Sequence, residues 1–67
     1  MDYNLREDLS AIREILGMTQ EELAEQLDVD TKTIQRNESG KTEPTVAVLE
    51  RIYAYAFAKK IKLPWIL

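Results

Sequence analysis

Apolar residues recur at helical spacing along this chain, and Gly, Asp and Pro cut the pattern into short lengths. Leu5, Leu9, Ile12 and Leu16 fall at i, i+4, i+7 and i+11, one stripe of a helix that Ile15 widens. Asn4 caps that segment, Glu7 follows at capping-box spacing, and Gly17 offers the left-handed conformation that ends it. The spacing predicts a second helix over Gln20–Leu27. Thr19 and Glu22 form its capping box, worth about 1 kcal/mol, and Leu23 and Leu27 are its buried pair. Ala24 is small enough for another helix to approach closely. Asp28 tolerates positive φ better than most residues, and Val29 is an apolar plug in the turn. Asp30 is a strong N-cap for a third helix, Thr31–Ser39, in which Ile34 is the firm core residue and Gly40 the terminator. After the loop from Lys41 to Pro44, Thr45 caps a longer helix over about residues 45–62, apolar on more than one face. Leu63-Pro64 stops it, and Trp65-Ile66-Leu67 reads as the first turn of something further.

Helical periodicity throughout predicts an all-α fold, and 67 residues allow one domain, 1–67. There is no Cys and no His, so a disulfide, a thiolate nucleophile, a cysteine zinc site and the usual neutral-pH base are all absent. Stability must come from a packed apolar core, helped by any partner chain. Ser10 and Ser39 have no visible base, no Gly-rich phosphate loop occurs, and no spacing suits a metal. We therefore expect no enzyme, no catalytic residue, no metal and no cofactor. A composition of 45% hydrophobic and 31% charged residues fits a soluble globular domain. No apolar run is long enough to span a bilayer, so we expect no membrane partner and a cytoplasmic location.

The net charge of -3 speaks against a nucleic-acid partner, but its distribution does not. Residues 1–30 hold two arginines against nine carboxylates, a net of -7. Residues 31–67 hold seven cations against three carboxylates, a net of +4. Two short helices three residues apart, with a small residue mid-way, an apolar plug and a polar second helix, have the geometry of a helix-turn-helix over about residues 20–39. Thr31, Lys32, Gln35 and Arg36 point outward from its second helix.

These residues resemble the phage repressor and Cro-like, or Xre, helix-turn-helix family. The matching blocks are Gly17-Met18-Thr19-Gln20-Glu21-Glu22-Leu23-Ala24, Thr33-Ile34-Gln35-Arg36, Glu38-Ser39-Gly40-Lys41 and Pro44-Thr45. The resemblance implies a compact four- to five-helix bundle of the lambda-repressor-like type. It also implies a transcriptional repressor on the nucleoid, binding double-stranded operator DNA, usually as a homodimer. It places the third helix in the major groove, with Thr31, Lys32, Gln35 and Arg36 as base readers. By residue type alone that face is an ordinary solvated one. Arg can grip guanine O6 and N7, and Gln can pair with adenine. Gln20 stands where amides at the start of the second helix can hold a phosphate, or is a plain first-turn residue. Lys41 and Thr42 are implied to grip one DNA backbone, and Lys41 also complements the C-terminal dipole of the third helix.

Arg13 and Glu38 match a pair that in this family forms a buried salt bridge. Two positions depart from the pattern: Asp28 replaces the usual turn Gly, and Asn37 stands where an apolar residue usually meets the core. Leu49, Ile52 and Tyr53 are expected inward, and Phe57, Ile61 and Trp65 are expected as dimer contacts. The alternative reading is an antitoxin-like or other protein-interaction module whose acidic first half meets a basic protein partner.

Overall fold

Three of the four helices begin where a short polar side chain stands in for a missing backbone partner. The computed structural model describes residues 4–41 and 43–63, and in these it forms α1 (Leu5–Leu16), α2 (Gln20–Leu27), α3 (Thr31–Ser39) and α4 (Val46–Ala58), with no strand. Asn4 Oδ1 accepts hydrogen bonds from the amides of Arg6 and Glu7 at 3.1 and 3.3 Å. Thr19 Oγ1 accepts from the Glu22 amide, and the Glu22 carboxylate accepts from the Thr19 amide, closing the capping box. Thr45 Oγ1 accepts from the Val48 amide at the start of α4. Asp30 is the exception. It holds the N-cap position of α3 in extended geometry, but its carboxylate makes no cap hydrogen bond.

The helix ends obey one rule. Gly17, Asp28, Gly40 and Lys60 all take positive φ, at 65°, 56°, 75° and 56°. After each, the next amide donates back to a carbonyl five residues earlier: Met18 to Arg13, Val29 to Ala24, Lys41 to Arg36 and Ile61 to Ala56. Three of these following residues are apolar and fold back on the core. Met18 and Val29 are half-buried against it, and Ile61 is buried within it. The fourth, Lys41, is exposed. The closure that tucks an apolar residue inward elsewhere presents a cation at the end of α3.

This closure corrects two expectations. The last helix ends at Ala58, not near residue 62, because Lys60 turns the chain back before Pro64 is reached. As a result Ile61 is only 9% exposed and joins the core with Leu63, so it is no dimer contact. Trp65, the other distal dimer candidate, lies outside the described residues, as does Thr42.

The core sits where the helices converge. Leu9 and Ile12 of α1, Leu23 of α2, Ile34 of α3 and Ile52 of α4 are almost fully buried. Ala24, 2% exposed, permits the close approach of α2 to its neighbours. α3 packs on both α1 and α2, and α4 packs on α2. Tyr53 and Leu49 are half-buried. Ile34 is the one apolar side chain that α3 buries, worth about 1.5–3 kcal/mol.

Lys60 is exposed, so replacing it by Gly weighs relief of backbone strain against the added freedom of the unfolded chain, with little packing change. We expect Lys60→Gly to stabilise the fold by about 0.5–1 kcal/mol, since an L side chain in the left-handed region is strained. A melting temperature that is unchanged or lower in calorimetry would show that the strain relieved does not exceed the chain entropy that Gly adds to the unfolded state.

Candidate nucleic-acid interface

The second short helix of the helix-turn-helix, α3, divides cleanly into two sides. Ile34 and Asn37, three residues apart, face inward. Lys32, Gln35, Arg36 and Ser39 are exposed on the opposite side, and Thr31 and Thr33 are half-buried at its edge. Nine residues make a rod about 14 Å long, and its diameter suits a major groove about 12 Å wide.

With so little apolar anchorage, polar contacts from α1 fix how this rod sits. Arg13 Nη1 donates to both carboxylate oxygens of Glu38, at 2.7 and 2.8 Å. Its Nε donates to the Met18 carbonyl at 3.3 Å. The pair is mostly buried, with 27% of the Arg13 and 12% of the Glu38 side chain exposed. One face of α1 brings a second arginine to the same residue. Arg6 Nε donates to the Glu38 backbone carbonyl at 3.3 Å, satisfying an acceptor in the last turn of α3. Gly40 makes room for it, since a Cβ there would stand 2.9 Å from Arg6 Cδ.

The other helix of the motif is held by a cation from α4. α2 has no basic residue in its last turn. Arg51 supplies one, its Nη1 donating to the carbonyls of Leu27 at 3.3 Å and Asp28 at 2.7 Å. At Asp8 and Tyr53 α1 meets α4. The Tyr53 hydroxyl donates to the fully buried Asp8 carboxylate.

Sequence reasoning singled out none of Arg6, Arg51 and Asp8. Asp8 left a signal: it lies three residues after Leu5 and four before Ile12, on the apolar stripe. Arg51 left a weaker one, the uncompensated C-terminus of α2. Asn37 is 3% exposed, and its Nδ2 finds no hydrogen-bond partner among the described residues.

The proposed contact residues gather around α3. Lys32, Gln35, Arg36 and Lys41 are exposed, with Lys41 directly after the helix they belong to. Gln20, at the first position of α2, is half-buried. Of the two acids beside it, Glu22 is turned into the cap and Glu21 is exposed. A shallow groove between α2 and the start of α3 is lined by Glu21, Ala24, Glu25, Val29, Asp30 and Thr31. Phe57 is 82% exposed on α4, remote in sequence from this face.

A family model described as helix-turn-helix matches residues 9–54, well over half of the chain. The chain belongs to the helix-turn-helix family. The matched region runs from the buried part of α1 into α4 and contains the whole of α2 and α3. No curated protein and no solved structure gives a significant match. The family is one of DNA-binding regulatory domains, and the four helices, with no strand among the described residues, agree with its lambda-repressor-like fold. Among the described residues no helix is long and apolar enough to cross a membrane. None of their His, Cys, Asp and Glu side chains group so as to hold a metal ion.

Two substitutions test how α3 is seated. Glu38→Ala strands Arg13 in a largely buried place, and we expect a loss of roughly 2–4 kcal/mol in denaturant unfolding. A loss under about 0.5 kcal/mol, the size of a surface change, would show that the pair holds nothing. Asn37→Leu replaces an amide lacking a donor contact by an apolar side chain of similar size. We expect it to stabilise by about 1–2 kcal/mol, seen as a higher denaturant midpoint at unchanged slope.

Proposed function

We propose that this helix-turn-helix chain is a sequence-specific transcriptional repressor that reads the major groove of double-stranded operator DNA with α3 and acts as a homodimer. One observation carries the reading: Lys32, Gln35 and Arg36 are all exposed on the side of α3 opposite Ile34, while Arg13 and Arg6 grip Glu38 from behind. Among the described residues nothing covers that side, which leaves the rod open to a groove. Arg36 has the fork that matches guanine O6 and N7, and Gln35 the amide that pairs with adenine. Lys32 and Thr31 complete the reading surface. Gln20, Lys41 and Thr42 hold phosphates, which sets register without reading sequence. Such a regulator works in the cytoplasm, on the nucleoid.

The charge budget limits affinity. Lys32, Arg36 and Lys41 are the cations on or directly after α3, so the charge that one protomer brings to the duplex, on bases and phosphates together, displaces about three counterions at most, and a pair about six. The logarithm of affinity then falls against the logarithm of salt with a slope of about -3 for one protomer and about -5 for two. Weak binding per protomer is the physical reason for a dimer, which also spaces two reading helices one DNA turn apart. Phe57, exposed and aromatic, remains a dimer candidate together with Trp65.

The acidic first half favours a second reading. With a net charge of -7 over residues 1–30, the chain also suits a basic protein partner, as an antitoxin-like module or one that no longer binds DNA. Selection of random duplexes on the purified protein separates the two. The repressor reading expects an enriched palindrome that Arg36→Ala abolishes, with the salt slope above. Retention of no duplex at low salt would overturn it and leave the protein-interaction reading.

A further inference from the structure

Asp30 holds a carboxylate for which the described residues show no hydrogen bond or ion pair. An Asp at an N-cap ordinarily turns its side chain onto the amides of the first turn. Here the backbone takes the N-cap geometry, but the side chain makes no cap hydrogen bond. No described cation pairs with it, and the acids that share its groove, Glu21 and Glu25, supply no donor. Asp30 is exposed and directly precedes Thr31 and Lys32, at the leading tip of α3. In a helix-turn-helix the N-terminal residues of the second helix are those that meet base edges.

A carboxylate in that place is selective by elimination. It is repelled by phosphates and by every acceptor on a base edge, which includes guanine N7 and O6 and thymine O4. The donors in the major groove are the exocyclic amines of cytosine and adenine. Adenine sets its N6 amine beside the N7 acceptor, which opposes the second carboxylate oxygen. Cytosine presents its N4 amine with no acceptor beside it on the same base. We propose that Asp30 is a specificity-determining residue that accepts a hydrogen bond from cytosine N4 in each operator half-site.

The inference rests on the reading of α3 as the DNA-reading helix, and it adds a register. Asp30 and Arg36 are six residues apart, about 9 Å along a helix, which spans two to three base pairs at 3.4 Å each. A half-site therefore carries a cytosine two to three base pairs from the guanine gripped by Arg36. The carboxylate at the helix start also complements the helix dipole. That role influences stability and leaves base preference untouched, so base preference is the readout.

The test is duplex selection on the purified wild-type chain and on Asp30→Asn, followed by binding titrations on the enriched site with each of the four base pairs at the assigned position. Asn keeps the shape and the capping ability of Asp but pairs with adenine N6 and N7. Wild type should prefer the cytosine site by roughly tenfold, and Asp30→Asn should lose that preference and gain one for adenine. Asp30→Ser, a good N-cap, should show no strong preference there while melting as the wild type does. An unchanged base preference in both variants overturns the inference, and so does tighter binding to all duplexes without a change in preference. Failure of the wild type to select any site would overturn the DNA-reading proposal itself, so the two failures are distinguishable.

Discussion

The grip of α1 on Glu38 is the contact on which the rest of the outer surface depends. α3 buries one apolar side chain, Ile34, and one amide, Asn37. A single apolar anchor lets a helix roll about its axis at little cost. The Arg13 guanidinium on the Glu38 carboxylate and the Arg6 guanidinium on the Glu38 carbonyl together fix both the roll and the far end of the rod. An ion pair of this kind contributes orientation more than net stability, because desolvation offsets much of its attraction. Orientation is what the proposed role of α3 needs, since the exposed side must stay exposed.

The same economy governs the helix ends. All four helices close through a left-handed residue and a returning amide, a geometry indifferent to which side chain follows. At three ends the following residue is Met18, Val29 or Ile61 and serves the core. At the fourth it is Lys41, which is exposed directly after α3. One backbone device thus seals the interior and also places a charge where a phosphate contact is proposed. Arg51 and Arg6 complement it by meeting carbonyls at the ends of α2 and α3 that those helices leave open.

Much of this was legible residue by residue. Thr19 and Glu22, Asn4, Thr45, Gly17 and Gly40 act within four or five positions of themselves, and their hydrogen bonds are those their types and spacing predict. The apolar stripe of α1 and the pair Leu23 and Leu27 are buried as their periodicity requires. The resemblance in the Glu38-Ser39-Gly40-Lys41 block directed attention to the Arg13–Glu38 pair, which periodicity alone does not connect. Less legible was the end of α4. Lys60 carries no sign of a left-handed conformation, and Pro64 is a more visible stop than the one the chain uses.

Local chemistry, written in order along the chain, determined that there would be four helices, where three of them would end, and that Lys32, Gln35 and Arg36 would face outward on α3, whereas Thr31, expected with them, is half-buried. Those outcomes depend on neighbours within one or two helical turns. Packing decided the rest: that Ile61 returns to the interior, that Asn37 is sealed in with no partner for its Nδ2 among the described residues, that Asp8 meets Tyr53, and that Arg6 and Arg51 cap helices other than their own. Each of these joins groups far apart in sequence or turns on a backbone angle that no single residue type dictates. Only the assembled core, by setting which surfaces meet, could choose them.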